Sequence, residues 1–425
     1  MGITIKTFFE NNENITNKYD ISSAHQKLHE MNCAKEMVGW LNFKVSDDEI
    51  TKIKLLAEKI KSQSDILIVV GAGGSYCGAK AIIEALNSQF YNDFNSNSPK
   101  IYFVGNNLSG SYMDNILKLC ENKNVSLNVI SKSGTTLEPS ATFRIFKNYI
   151  ENRYGKDEAC ERIICTTDEK NGVLRQLANK YGYQTLVVPS NIGGRFSVLT
   201  AVGLLPIAVS GINIEQLLEG AYDAEVEFAN TDFSANNCYQ YALARKFLAD
   251  MGKTVEMTAA FEPSTELFLE WHRQLFGESL GKNRIGVLPT VAIYTRDLHS
   301  IGQYIQDGSP ILFETIFKFG LDDSDCVIPD IDGNADGLNY LTNQKLSVIN
   351  DKAVQGVIDA HCGGNVPVIL IDVPKLDTYN LGNLIYFLEK SCAINGILDN
   401  INPFDQPGVE AYKKNIKRVL IDAKL

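Results

Sequence analysis

Four hydroxyl side chains and one lysine fall within six consecutive residues about a third of the way along the chain. This run, Ser131–Thr136 (SKSGTT), follows an apolar stretch, 125–130, that is typical of a β-strand. Hydroxyl groups and an ammonium are suitable donors for the three oxygens of a phosphate group. Helix capping is the alternative role for Ser and Thr, but it uses one or two such residues. The pattern therefore favours a phosphomonoester site. Its predicted ligands are Ser131, Lys132, Ser133, Thr135 and Thr136.

A glycine-rich loop, Gly71–Ala79 (GAGGSYCGA), follows an earlier strand-like run. It does not match the dinucleotide fingerprint, because Tyr76 stands where the third glycine belongs, and it is no P-loop, because no lysine directly follows Gly78. Glycines at the carboxyl end of a parallel strand let the backbone turn sharply and expose N–H groups at a helix N-terminus. The loop is therefore either an anion cradle that includes Gly74 and Ser75, or only a tight turn.

The first half of the chain contains the pattern of a sheet that could bring these two loops together. Short apolar runs alternate with stretches of helical periodicity, which predicts a doubly wound α/β domain. Because parallel strands end at the same edge of a sheet, loops that follow neighbouring strands lie close together. The predicted strands are 65–71, 100–104, 126–130, 162–166 and 184–188. The predicted helices are 50–60, 79–86, 115–120, 138–151 and 173–180.

The second half repeats this alternation less regularly and predicts a second α/β domain of the same kind. An apolar stretch, 200–210, is interrupted by Pro206 and is expected between the two domains. The predicted strands of the second half are 254–257, 286–294, 311–315 and 366–373. The predicted helices are 237–250, 265–276 and 380–395.

Composition limits the classes of partner and compartment. The 425 residues include 40 basic and 51 acidic side chains, for a formal charge of −11. An acidic balance argues against nucleic acid as a partner, because binding phosphates along a strand needs a clustered excess of Lys and Arg. No run approaches the roughly 20 apolar residues of a membrane span, and no secretory leader is recognisable. Nine cysteines without a C-x-x-C pair fit reduced thiols in the cytoplasm.

Six motifs, in order along nearly the whole chain, resemble the glucose-6-phosphate isomerase family in its shorter bacterial form. They are GAGGSYCGA at 71–79, SKSGTTLEP at 131–139, GGRFSVLTAVGLLP at 193–206, FGESLGK at 276–282, DLHSIGQYIQDG at 297–308 and QPGVEAYKK at 406–414. The resemblance implies the reversible interconversion of glucose 6-phosphate and fructose 6-phosphate, a reaction of glycolysis and gluconeogenesis. It also implies a cytoplasmic homodimer without a metal or an organic cofactor.

The resemblance further implies two sugar-isomerase (SIS) domains of flavodoxin-like, doubly wound parallel-sheet topology, with helical extensions at both ends. The expected divisions are an N-terminal helical segment at 1–60, a first SIS domain with the phosphate loops at 61–205, a second SIS domain at 206–400, and a C-terminal helix at 401–425.

Five further site residues are implied by motif position. Glu278 corresponds to the base that moves a proton between adjacent carbons, and Arg195 to a fixed charge that stabilises the enediolate intermediate. His299 and Lys413 correspond to the residues that open the sugar ring, with His299 expected to reach the partner subunit's site. Gln406 corresponds to a sugar-contacting glutamine. Without the motifs, a lone Glu, Lys or Arg would be read as a surface charge.

Two other functions are compatible with phosphate loops of this kind. One is a phosphosugar isomerase of the same fold that acts on a different sugar. The other is a sensor that binds a sugar phosphate without chemistry, which would lack the base and would usually carry a DNA-binding segment.

Overall fold

A computed structural model describes residues 2–9, 18–33, 37–94, 98–321 and 326–423. Within these ranges the chain forms two five-stranded sheets and fifteen α-helices, none of them long and apolar enough to cross a membrane. The helices are α1 (Ile21–Cys33), α2 (Asp47–Gln63), α3 (Cys77–Asn87), α4 (Tyr91–Phe94), α5 (Gly110–Cys120), α6 (Leu137–Arg162), α7 (Val173–Tyr181), α8 (Ala201–Val209), α9 (Ile214–Glu227), α10 (Asn237–Asp250), α11 (Glu266–Leu280), α12 (Leu298–Asp307), α13 (Leu346–Gly363), α14 (Thr378–Leu398) and α15 (Gly408–Asp422).

The first sheet is entirely parallel and confirms the prediction of a doubly wound domain. Its strands are β2 (Ile66–Val70), β3 (Lys100–Val104), β4 (Val125–Ile130), β5 (Ile163–Thr167) and β6 (Gln184–Val187), in the order β3-β2-β4-β5-β6. Every residue of β2 is buried, as expected for a strand covered by helices on both faces. The strands β2 and β4 are neighbours, with Val70 beside Val129. The glycine loop (Gly71–Ala79) and the loop Ser131–Thr136, here called the hydroxyl loop, therefore lie side by side.

The second sheet has four parallel strands and one antiparallel edge strand. Its strands are β1 (Thr4–Phe8), β7 (Val255–Ala260), β8 (Leu288–Ile293), β9 (Leu312–Phe319) and β10 (Val368–Val373), in the order β1-β10-β9-β7-β8. The four parallel strands confirm the predicted second α/β domain. The edge strand β1 pairs antiparallel with β10. The N-terminal segment was expected to be helical, and that expectation is wrong for Thr4–Phe8, because backbone pairing with a distant strand decides their conformation.

One hydrophobic core joins the two domains. It includes apolar residues of both sheets and of α8, α9 and α14, and all nine residues of α8 are buried. The backbones of α9 and α14 approach closely at two glycines. A Cβ on Gly382 would lie 1.9 Å from the carbonyl oxygen of Leu217, and one on Gly220 would lie 1.9 Å from that of Tyr379. This shared core fixes one domain against the other, so a site can draw residues from both.

A buried polar network lies under α11, the helix that carries the predicted base. Arg245 and Glu256 are almost fully buried and form a salt bridge of 2.6 Å. The Tyr241 hydroxyl contacts Glu256 at 2.9 Å and His272 of α11 at 3.0 Å. Burial raises the pKa of Glu256, but the charges of Arg245 and His272 outweigh that effect and lower it to about 2. His272 also stacks on Phe276 at 4.3 Å, so this face of α11 is anchored by both polar and aromatic contacts.

Candidate active site

The glycine loop forms a compact turn between β2 and α3. Residues Gly73–Ser75 make a single 3-10 turn, and the Ser75 and Tyr76 amides donate to the Ala72 and Gly73 carbonyls at 3.1 Å each. Gly73 has a φ of +56°, a conformation that favours glycine. These two amides are thus used by the turn itself, while the Ser75 side chain is only half-buried and can still reach a ligand.

Gly74 serves a packing role that its motif position does not reveal. A Cβ at this residue would lie 2.0 Å from the Gly194 carbonyl oxygen and 2.9 Å from the Arg195 amide nitrogen. The glycine loop therefore rests directly on the backbone that carries Arg195. Only a residue without a side chain permits this approach.

The hydroxyl loop folds into a cup that its own side chains stabilise. The Ser131 oxygen accepts from the Gly134 amide at 2.9 Å, and the Ser133 oxygen accepts from the amide and the hydroxyl of Thr135 at 3.2 and 3.0 Å. Thr136 occupies the N-cap position of α6, but its side chain makes no capping hydrogen bond. The side chains of Ser133, Thr135 and Thr136 are exposed. Helix capping therefore does not account for this cluster.

Lys132 points away from the cup. Its ammonium donates to the carbonyl oxygens of Ser190 at 2.6 Å and Ile192 at 3.4 Å, in the loop that leads to Arg195. Burial lowers the pKa of Lys132, and Asp168 partly offsets that effect. The lysine thus connects the hydroxyl loop to the loop between β6 and α8, here called the Arg195 loop. Direct contact of Lys132 with phosphate stays a prediction.

Arg195 is the centre of the constellation and is only 6 % exposed. Its Nε donates to the Ser279 hydroxyl at 3.0 Å, and its Nη1 donates to the side-chain oxygen of Gln406 at 2.6 Å. Its Nη2 donates to the backbone carbonyls of Pro403 at 3.0 Å and Asp405 at 3.4 Å. A guanidinium held on all sides in this way is a charge of fixed position.

Glu278 meets this fixed charge from the last turn of α11. Its Oε1 lies 3.3 Å from Arg195 Nη1, and its Oε2 accepts from the Gln274 amide group, one helical turn earlier, at 3.1 Å. The Glu278 side chain is 26 % exposed, whereas the neighbouring Ser279 is fully buried. The carboxylate is thus oriented by two partners and still open to a ligand. Glu278 and Gln406 thus both contact Arg195.

His299 and Lys413 lie apart from that group. His299 is exposed in the first turn of α12. Lys413 is exposed on α15 and pairs with Glu410 at 3.1 Å. In the portion of the chain that the structure describes, neither side chain forms a hydrogen bond or ion pair with Arg195, Glu278 or Gln406. The site of a single chain therefore contains the proposed base and fixed charge without these two residues.

A known protein family matches most of the chain. The family model described as "Phosphoglucose isomerase" matches residues 48–300 and 341–424. The chain belongs to the phosphoglucose isomerase family. All of the predicted site residues lie within the matched segments of this family.

Relatives of known sequence and structure agree with this membership. A glucose-6-phosphate isomerase from Acetivibrio thermocellus is 50% identical over 406 residues, which cover 94% of this chain and 91% of the relative. A hypothetical protein from Thermus thermophilus has a similar structure, with a TM-score of 0.88 at 23% identity, over 98% of this chain and 100% of that one. A glucose-6-phosphate isomerase from Chlamydia trachomatis gives a TM-score of 0.82 at 19% identity, over 100% of this chain and 89% of that one. At these identities the two structures support the fold alone.

Three residues of this phosphoglucose isomerase family member are part of the site although the sequence did not single them out. Gln274 holds one oxygen of Glu278 and could have been noticed from its spacing of four on the same helix. Ser279 holds Arg195, and Lys282 forms an ion pair with Asp405 at 2.9 Å. Both belong to the FGESLGK motif, but nothing in its letters indicates which partners they contact.

Three cations contact the loops of the site, although the chain as a whole is acidic. Arg195 pairs with Glu278 and Lys282 with Asp405, while Lys132 donates to backbone carbonyls. In the described residues, no group of three or more His, Cys, Asp or Glu side chains is arranged to hold a metal ion.

Proposed function

We propose that this phosphoglucose isomerase family member catalyses the reversible interconversion of glucose 6-phosphate and fructose 6-phosphate. The observation that carries the proposal is the contact of 3.3 Å between Glu278 and Arg195, next to loops suited to a phosphate group. Gly194, which precedes that arginine, rests on Gly74 of the glycine loop. A base, a fixed charge and an anion cradle within one small site suit a sugar whose phosphate lies a few bonds from its reacting carbons.

Glu278 is the base in this mechanism. As a carboxylate, it removes the proton from C2 of the open-chain aldose and returns it to C1, while the carbonyl oxygen and the adjacent hydroxyl exchange roles. Gln274 fixes the orientation of one carboxylate oxygen, which leaves the other oxygen near Arg195. Orientation of this kind lowers the entropic cost of reaching the transition state.

Arg195 stabilises the enediolate that forms between the two proton transfers. Negative charge develops on the two sugar oxygens only in the intermediate, so a fixed cation binds the intermediate more tightly than the neutral sugar. Contacts with Ser279, Gln406 and the 403–405 backbone hold the guanidinium in place. Little reorganisation is then needed as the charge appears.

The phosphate group is held by the two loops at the ends of β2 and β4. Exposed hydroxyls of the cup donate to its oxygens, and Ser75 adds a donor from the glycine loop. Lys132 contributes positive charge and connects the cup to the Arg195 loop. The donors of this proposal are the exposed Ser133, Thr135 and Thr136, the half-buried Ser75 and the buried Ser131.

Ring opening is assigned to His299 and Lys413, and this assignment requires a homodimer. An imidazole can transfer a proton to or from the ring oxygen near neutral pH, but His299 lies apart from Glu278 within one chain. Helix α15, which carries Lys413, buries none of its residues and exposes Tyr412, Ile416 and Val419 on one face. An apolar face of this kind is typical of a subunit interface. We also propose that the enzyme acts in the cytoplasm, in glycolysis and gluconeogenesis.

The test combines two assays on the purified chain. Conversion of fructose 6-phosphate is followed with a coupled dehydrogenase that oxidises the glucose 6-phosphate formed. Exchange of the C2 hydrogen of glucose 6-phosphate with solvent is followed in deuterium oxide. Glu278→Gln is expected to lower both rates by roughly 10²–10⁴-fold with little change in phosphate binding. Glu270→Gln, a change to another partly buried carboxylate on the same helix, is the control.

Unchanged turnover in Glu278→Gln would refute the assignment of the base. Conversion of a different phosphosugar in place of fructose 6-phosphate would refute the substrate. Sedimentation equilibrium at a mass near 47.1 kDa, rather than twice that value, would refute the homodimer.

A further inference from the structure

A short segment, 402–406, connects α14 to α15 and lies against the Arg195 loop. We refer to this segment as the strap. Phe404 at its centre is buried and packs against Phe196 at 5.5 Å and Trp40 at 6.4 Å between ring centroids. Pro403 lies so close to α14 that a Cβ on Gly396 would come within 2.8 Å of it. The strap is thus seated on the body of the protein by its apolar side chains.

Two cations hold the polar groups of the strap. Arg195 donates to its backbone at Pro403 and Asp405. Lys282, two residues beyond the end of α11, forms the ion pair of 2.9 Å with the Asp405 side chain and also donates to the Asn402 carbonyl. The lysine therefore contacts both ends of the strap.

The burial of Lys282 makes this contact more than an ordinary surface ion pair. Its side chain is 9% exposed, although that of Asp405 is 54% exposed. Burial lowers the pKa of Lys282, Asp405 opposes that shift, and the nearby charge of Arg195 adds to it. Arg195 and Lys282 both need the oxygens of the strap as hydrogen-bond acceptors, because an unpaired buried charge lowers the free energy of unfolding.

The strap determines where two of the proposed site residues lie. Gln406 is its last residue and contacts Arg195 at 2.6 Å. Lys413 follows on α15, and because that helix buries none of its own residues, its position within the chain depends on the strap that precedes it.

We propose that Lys282 is a positioning residue for this reaction, which holds the strap so that Gln406 and Lys413 are presented to the sugar. The inference rests on the proposed function. Lys282 itself is directed at Asn402 and Asp405, so it acts through the strap rather than on the substrate.

The test compares Lys282→Met with Lys246→Met. Lys246 is a matched control because it is also largely buried, at 16% exposed, and bridges two carboxylates, Asp250 and Asp399, that lie outside the strap. Lys282→Met is expected to lower kcat by about 10- to 100-fold, the range for a displacement of catalytic groups on the order of 1 Å. KM for fructose 6-phosphate is expected to change little, because the phosphate loops are untouched. Lys246→Met should retain the kcat of the wild type.

Two further variants and one physical measurement separate positioning from general destabilisation. Lys282→Arg keeps a cation opposite Asp405 and should restore most of the activity, while Asp405→Asn should show a smaller loss of the same kind. Hydrogen exchange of the Lys282→Met variant should quicken only in the strap and α15. A wild-type-like kcat in Lys282→Met overturns the proposal, as does faster exchange throughout the chain with no rescue by arginine. An inactive wild type instead refutes the proposed function.

Discussion

The contact between the glycine loop and the Arg195 loop gives a demanding test of the site geometry. Gly74→Ala adds one methyl group to the chain and removes no donor, acceptor or charge. Its Cβ would begin 2.0 Å from the Gly194 carbonyl oxygen, 2.3 Å from the carbonyl carbon and 2.9 Å from the Arg195 amide nitrogen. All three obstructing atoms belong to the backbone, so no side-chain rotation can relieve the overlap.

The expected magnitude follows from these distances. Contacts below 3.0 Å essentially do not occur for a Cβ, so the two loops must separate by at least about 1 Å, since the overlap starts at 2.0 Å. Overpacking of this kind costs about 1–3 kcal/mol of stability. A displacement of this size between the phosphate cradle and Arg195 is expected to lower kcat/KM by about 10²-fold.

The assay is the coupled conversion of fructose 6-phosphate, together with the thermal midpoint of unfolding. The control is Gly356→Ala within α13, where an added Cβ meets nothing within 4 Å. That change should leave activity intact and stabilise the helix by up to about 1 kcal/mol. If Gly74→Ala retains full kcat/KM, the Gly74–Gly194 contact does not set the position of Arg195, and this reasoning fails.

Three other predictions concern titratable groups that the proposed mechanism does not use. Burial raises the pKa of Glu389 well above its usual 4.5, so folding retains a proton that the unfolded chain releases. Its contribution to stability falls as the pH rises above 4.5, by about 1.4 kcal/mol per unit until the folded-state pKa is reached. Urea unfolding should show a smaller loss of stability with pH for Glu389→Gln, and parallel curves would contradict this. Burial and the neighbouring His29 and Lys390 charges lower the pKa of His25 from 6.5 to about 4. The contribution of neutral His25 to folding stability is therefore complete above pH 6.5 and is lost as the pH falls from 6.5 to about 4. Over this pH range, amide hydrogen exchange in α1 should become faster in the wild type and change less in His25→Gln. Equal dependence of exchange on pH in the two proteins would exclude His25 as the cause. Finally, Cys33 is exposed, whereas burial raises the pKa of Cys77 to about 12. A disulfide reagent should label Cys33 at least about 10²-fold faster, as measured by mass spectrometry, and similar rates would mean that the glycine loop opens.

Most of the fold could be predicted because its parallel strands are rich in apolar residues, and β2 is apolar throughout. The fully buried β2 is recognisable from its own residues, since a strand covered on both faces needs no polar alternation. In β4, by contrast, Ser126 and Asn128 alternate with apolar residues although the whole strand is buried. The edge strand β1 could not be predicted in the same way. Three of its five residues are polar, with Lys6 and Thr7 adjacent, and its pairing with β10 depends on a segment near the far end of the sequence.

The same distinction between local sequence and long-range contacts applies to the site. The hydroxyl cup is local, and its donors lie where the run Ser131–Thr136 places them. The direction of Lys132 is not local, because the carbonyls that it contacts belong to a loop after β6. The meeting of Arg195, Glu278 and Gln406 also depends on the packing of separate elements, so only the resemblance to a family indicated it in advance.

The edge strand β1 has a consequence for the order in which the chain folds. Phe8 lies beside Val368, so the second sheet cannot be completed until nearly the whole chain has been synthesised, whereas every strand of the first sheet is available once β6 has emerged. Contacts between such distant segments form late, because closing a long loop costs entropy before any contact compensates for it. A bulky fusion attached before Thr4 should therefore slow the maturation of the second domain while the first domain forms normally.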